Sequence, residues 1–148
     1  MYINLNIYTR FKNLKIKKNI ILMINKEWYS KIKKSHLSPP NYIFGIVWPI
    51  LYTLIFISLI VIVYNGINKL GLLFFILQFI CNIIWFPLFF TYKKITLALL
   101  DLILTIIFTG LTIYYFYKKS KLASYLLVPY MIWICFALYL NLFIVINN

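Results

Sequence analysis

The amino-acid sequence predicts an all-α membrane protein, a bundle of four clear transmembrane helices. Three observations predict it. Four long stretches almost free of charge, Ile43–Tyr64, Gly71–Phe90, Ile95–Tyr117 and Ala123–Ile146, fill the last two thirds of the chain. A hydrocarbon core about 30 Å thick takes about 20 apolar residues at about 1.5 Å each, so every stretch is long enough to cross. A backbone in lipid must also satisfy its own hydrogen bonds, which makes such spans helices and not strands. Finally, 64% of the 148 residues are hydrophobic, which leaves no material for a separate soluble domain.

The chain divides into a basic segment, residues 1–34, and a transmembrane bundle, residues 35–148. A net charge of +13 raises the question of nucleic acid, but its placement argues for a membrane. Nine of the fifteen basic residues lie before Pro39, and the other six (Lys69, Lys93, Lys94, Lys118, Lys119 and Lys121) occupy short connections between spans. Basic residues flanking spans act as orientation signals and headgroup contacts. With four spans, eleven basic residues fall on the side of the N-terminus and four on the other, which puts the N-terminus in the cytosol.

The first segment does not read as a span. Ile7–Glu27 carries Arg10, Lys12, Lys15, Lys17 and Lys18. Each costs up to about 2.5–3.5 kcal/mol near the bilayer centre, against about 0.3–0.6 kcal/mol returned by each apolar residue. Its short run Ile20–Ile24 fits an interfacial helix.

Each later element has a polar or aromatic stripe at helical spacing. On the first span it is Trp48, Tyr52 and Phe56; on the second Gln78, Asn82, Trp85 and Phe89. The third carries Asp101, Thr105, Thr109 and Thr112, and the fourth Pro129, Trp133, Ala137 and Asn141. Membrane helices turn polar residues away from lipid, so these stripes mark an interior. By spacing alone they fit interhelical packing as well as a ligand cavity. Asp101, the one acid within a span, reads as a structural carboxylate paired across helices or with a loop cation. Pro49, Pro87 and Pro129 shape the helices. Cys81 and Cys135 serve as small apolar residues, and with His36 as the single histidine no metal site is expected.

Four blocks resemble the translocator protein family, also known as the tryptophan-rich sensory protein or peripheral benzodiazepine receptor family. Trp28-Tyr29 with Pro39-Pro40-Asn41-Tyr42-Ile43-Phe44-Gly45-Ile46-Val47-Trp48-Pro49-Ile50-Leu51-Tyr52 is similar to its WY…PPxWxFGxVWxxLY segment. Gln78 to Phe90 resembles QLxLNxxWxPxFF, Ala98 to Leu102 resembles ALxDL, and Pro129 to Ala137 with Leu140-Asn141 resembles PYxxWxxFAxxLN. The resemblance implies a five-helix bundle, commonly a homodimer, that binds porphyrin, haem or sterol-like molecules. No catalytic residue and no resident cofactor is expected. By position the resemblance carries the ligand site to Trp48, Asn82, Trp85, Phe86, Trp133 and Ala137, with Tyr29 near the mouth. Transport, sensing or sequestration of the ligand follows from the likeness; light- or oxygen-dependent porphyrin breakdown and a non-binding scaffold are the alternatives. It further implies the mitochondrial outer membrane, with the endoplasmic reticulum as the alternative.

Three departures stand out. The family's first helix precedes Trp28, where this chain is too basic to cross, so that helix is expected to be degenerate or missing. Lys34-Ser35-His36-Leu37 replaces a KPxW connector, which implies a looser link. The end, Ile146-Asn147-Asn148, lacks the aromatic-plus-Arg tail of animal members, which favours a tetrapyrrole over a sterol.

Overall fold

The computed structural model describes residues 27–148. The expectations for Ile7–Glu27, including the interfacial run Ile20–Ile24 and the degenerate first helix, fall on residues 1–26, outside the described residues. The chain separates into two compact units, Met1–Lys33 and Lys34–Asn148. In the first, residues 27–31 are helical, and Lys31 Nζ pairs with Glu27 Oε1 one turn away at 2.9 Å. That exposed bond holds the Glu27 carboxyl below its usual range.

The second unit is a helical bundle. Helix α1 is Asn41–Tyr64 and α2 is Lys69–Phe86, which runs on through a wide π turn, Pro87–Thr91. Helix α3 is Ile95–Tyr117, α4 the short Lys121–Leu126, and α5 Val128–Asn147. Four stretches of 24, 23, 23 and 27 residues are long and apolar enough to cross a membrane, taking α2 with its π turn and α4 with α5. The expected spans agree with them to within two residues at every end.

Local chemistry places the boundaries. Asn68 caps α2, its Oδ1 accepting from Leu70 N at 2.9 Å and Gly71 N at 3.2 Å. Ser120 caps α4 by accepting from Ala123 N at 3.3 Å. Both serve donors that a helix start leaves without partners. Pro87 opens the π turn, which closes on Tyr92 N donating to Pro87 O at 2.9 Å. Lys93 then takes a left-handed φ of 56°, rare for a side-chain-bearing residue, to reverse the chain into α3.

The last span is not one helix, as expected, but two. Its hydrogen bonding breaks at Leu127 because Pro129 has no N–H to continue the ladder.

Helix α2 lies along α3; α3 also meets α4 and α5; α1 packs on α4 and, more lightly, on α5. Among the described residues the bundle is therefore an arc, α2–α3–α4/α5–α1. Its two end helices, consecutive in sequence, are bridged by side chains and do not pack backbone to backbone. Ile46, Ile60, Ile83, Leu100, Ile107 and Ile132 stand exposed along the spans. An apolar exterior of that extent fits acyl chains and not water.

Inside, the stripes fare differently. All four members of the α3 stripe, Asp101, Thr105, Thr109 and Thr112, are buried. On α1 the packed seam is instead Leu51, Ile55, Ser58 and Ile62, while Trp48 and Tyr52 flank it and Phe56 is 54% exposed. On α5 the seam is Tyr130, Ile134, Asn141 and Ile144, with Trp133 and Ala137 at its border and Pro129 exposed. The rotation has a physical cause. Branched aliphatic chains fit the close approach of α1 to α4, where Ser58 Oγ donates to Ala123 O at 2.6 Å, and wide rings do not.

Candidate functional site

Polar side chains from three helices meet in the interior of the arc. Tyr52 on α1 donates its hydroxyl hydrogen to Asn82 Oδ1 on α2 at 2.9 Å. The same carboxamide donates through Nδ2 to the Tyr130 hydroxyl on α5 at 3.0 Å. Tyr130 is fully buried, whereas Tyr52 and Asn82 are partly exposed. A single amide thus ties together helices whose backbones stand apart.

Aromatic rings surround this link. Trp48 stacks on Tyr52 with centroids 5.3 Å apart, and Phe79 meets Tyr52 edge-on at 6.4 Å. Trp133 contacts Phe44 at 5.7 Å and Phe136 at 5.9 Å. Its indole Nε1 is buried and has no hydrogen-bond partner among the described residues. A buried indole N–H normally finds an acceptor, so this donor stands out within the cluster.

Trp85 is different. The Asn141 carboxamide turns its oxygen to Trp85 Nε1 and its nitrogen to Ile95 O, each at 3.2 Å. Trp85 also stacks on Phe89 at 5.1 Å. Its polar atom is thus engaged in joining α2, α3 and α5.

Of the residues picked out from the sequence, Trp48, Asn82, Trp133 and Ala137 lie partly buried on inward-facing sides of α1, α2 and α5. Trp85 shares that face of α2 with its indole nitrogen committed. Phe86 stands at the open edge of the stripe, 59% exposed and tilted against Phe90 at 5.0 Å. Tyr29 is half-buried within the preceding unit, and burial pushes its hydroxyl pKa up.

Sequence reasoning missed Tyr130 and Phe44. Tyr130 follows Pro129 at a helix start, one residue off the stripe, and only a three-dimensional register shows its hydroxyl reaching Asn82. It also missed Ser35, which is buried with Oγ 3.1 Å from the Tyr139 hydroxyl on α5. Ser35 Oγ accepts from Leu37 N as well, so this end of the connector is pinned, against the expectation of a looser link. Asp101 is buried and meets the Cys81 thiol of α2, which is the contact across helices of the two expected; among the described residues no loop cation pairs with it. Its Oδ2 has no partner among the described residues.

An all-helical membrane bundle with indoles and a bridging carboxamide gathered inside defines the class: a multi-pass membrane protein with an aromatic–amide interior. The particular family follows from sequence comparison. The profile of the TspO/MBR family matches residues 12–146, and the chain belongs to that family. It is 40% identical over 124 residues to the tryptophan-rich protein TspO of Archaeoglobus fulgidus, covering 82% of this chain and 80% of that one. Against the protein of the same name from Bacillus cereus it is 32% identical, covering 83% and 82%. Against the translocator protein of Homo sapiens it is 32% identical, covering 77% and 70%.

Proposed function

We propose that this protein binds a flat, lipophilic ligand of the tetrapyrrole type, porphyrin or haem, among Trp48, Tyr52, Asn82, Trp133 and Ala137, and carries, senses or sequesters it. The observation that carries the reading is the buried Trp133 Nε1, which has no partner among the described residues, set among half-buried rings beside a polar amide. Large flat ligands with polar edges suit such a lining: ring faces stack on indoles, and a few placed polar atoms fix orientation. A resident cofactor plays no part in it. The name of the human relative, translocator, supports movement of the ligand. Relatives named TspO in an archaeon and a bacterium show that membership selects a bilayer and no particular organelle.

Titration of the purified protein with protoporphyrin, followed by tryptophan quenching, tests the reading. Saturable quenching is expected, with Trp133→Phe weakening affinity about tenfold, the equivalent of about 1.4 kcal/mol. Unsaturable quenching, or full affinity in Trp133→Phe, would count against it. The porphyrin spectrum is expected to survive illumination in the complex; bleaching that depends on Trp133 would favour breakdown of the ligand.

A further inference from the structure

We propose that Tyr52 sets the polarity of this site: its hydroxyl oxygen can only accept, so the protein selects ligands that present an N–H or O–H donor. The inference rests on the ligand-binding reading above and specifies the group the ligand must offer.

The direction emerges from following hydrogens through the bundle. Thr109 Oγ1 donates to Thr105 O on its own helix at 2.7 Å. A hydroxyl has one hydrogen, so the Thr109 oxygen can otherwise only accept. The Tyr130 hydroxyl accepts from Asn82 Nδ2 at 3.0 Å, and the Thr109 side chain is a polar neighbour on α3. Tyr130 is wholly enclosed and its hydrogen needs an acceptor, for which Thr109 Oγ1 is placed. The Tyr130 oxygen is thereby left to accept, and Asn82 Nδ2 fills that role at 3.0 Å.

This sets the carboxamide's orientation. Its oxygen must face α1, where it takes the Tyr52 hydrogen at 2.9 Å. Tyr52 has then committed its single hydrogen inward and retains only lone pairs toward a guest. The reverse polarity would leave two acceptor oxygens facing each other between Tyr130 and Thr109, or cost Thr109 its bond to Thr105 O. Tyr52 is partly exposed and lies between Trp48 and Phe79, so a ring stacked on Trp48 can reach its oxygen. A pyrrole or lactam N–H, or a hydroxyl, completes the chain. An ether or N-alkyl edge leaves that oxygen desolvated and unpaired, the situation by which polar sites reject close analogues.

The test uses competition against bound protoporphyrin, read by porphyrin fluorescence, with carbazole and N-methylcarbazole as probes that differ in one N–H. Carbazole is expected to displace the porphyrin about tenfold more effectively from the unaltered protein. Thr109→Val removes the acceptor that sets the direction and is expected to bring the two probes within about twofold of each other. Tyr130→Phe, which frees the amide to turn, should do the same while protoporphyrin still binds. Equal competition by the two probes, no competition by either, or an unchanged preference in both variants overturns the assignment of Tyr52. Failure of protoporphyrin itself to bind saturably is a different result and overturns the ligand-binding reading with it.

Discussion

The two halves of the bundle solve the problem of polar groups in lipid in opposite ways. In the α2–α3 half, the threonines turn inward on their own helix: Thr105 donates to Asp101 O, Thr109 to Thr105 O and Thr112 to Phe108 O, all within 2.8 Å. With their hydrogens spent on their own helix, they turn no donor toward a neighbouring one, and Thr109 keeps only a lone pair for Tyr130 of α5. Helices can then approach closely, and Phe75 on Phe116 at 5.8 Å and Phe74 on Phe108 at 6.2 Å stack across the contact. Where α1 and α5 face the Asn82 side of α2, tyrosine and asparagine bond between helices, backbones stay apart, and rings are left half-buried with one indole N–H unanswered among the described residues. Self-satisfied hydroxyls make a rigid wall, and bridging ones make a lining.

The largest predicted effect breaks the wall. Gly71 sits where α2 meets the end of α3; a Cβ there would lie 3.0 Å from Tyr115 Cβ and 3.2 Å from the Phe116 ring. Tyr115 Cβ is one bond from the backbone and cannot swing aside. Gly71→Val is therefore expected to destabilise the detergent-solubilised protein by about 2–3 kcal/mol, the usual cost of overpacking. A thermal midpoint equal to that of the parent would show that α2 and α3 can part freely, and the contrast between the halves would fail.

A smaller effect of opposite sign sharpens it. Gln78 lies in the wall, 1% exposed, yet neither atom of its amide has a partner among the described residues. An unsatisfied buried amide costs about 1–3 kcal/mol. Gln78→Met, close in volume, should raise stability by about 1 kcal/mol in thermal unfolding. Loss of stability instead would mean that Gln78 bridges helices as Asn82 does.

The spans were legible because lipid leaves so little choice. Length and apolarity alone placed the four spans, and an error of one or two residues shifts a helix end without altering the fold. The α3 stripe was equally legible: four polar residues on one face have nowhere else to go. On α1 and on the first turns of α5 the same rule was off by one position, because an aromatic residue satisfies either a seam or its border, whereas Asn141 is buried as expected. Trp48 and Trp133 proved to be border residues, and Leu51 and Ile134 the seam. The break at Leu127 was foreshadowed by Pro129. The Tyr52–Asn82–Tyr130 link was not, since it depends on the depth at which three helices meet, and no local pattern encodes depth.

The smallest predicted effect is a null that only the wall's chemistry explains. Thr112 is fully buried and polar, the kind of position where losing a hydroxyl commonly costs about 1 kcal/mol or more. Its hydroxyl, however, donates to Phe108 O at 2.7 Å on the same helix, a carbonyl that the α3 ladder already serves. Thr112→Val removes the only group that needed the bond and substitutes a methyl of similar size. It is expected to change the thermal midpoint by no more than about 0.5 kcal/mol equivalent, measured beside Gly71→Val in the same detergent. A cost near that of Gly71→Val would mean the hydroxyl is holding a second helix, and that the wall is a lining after all.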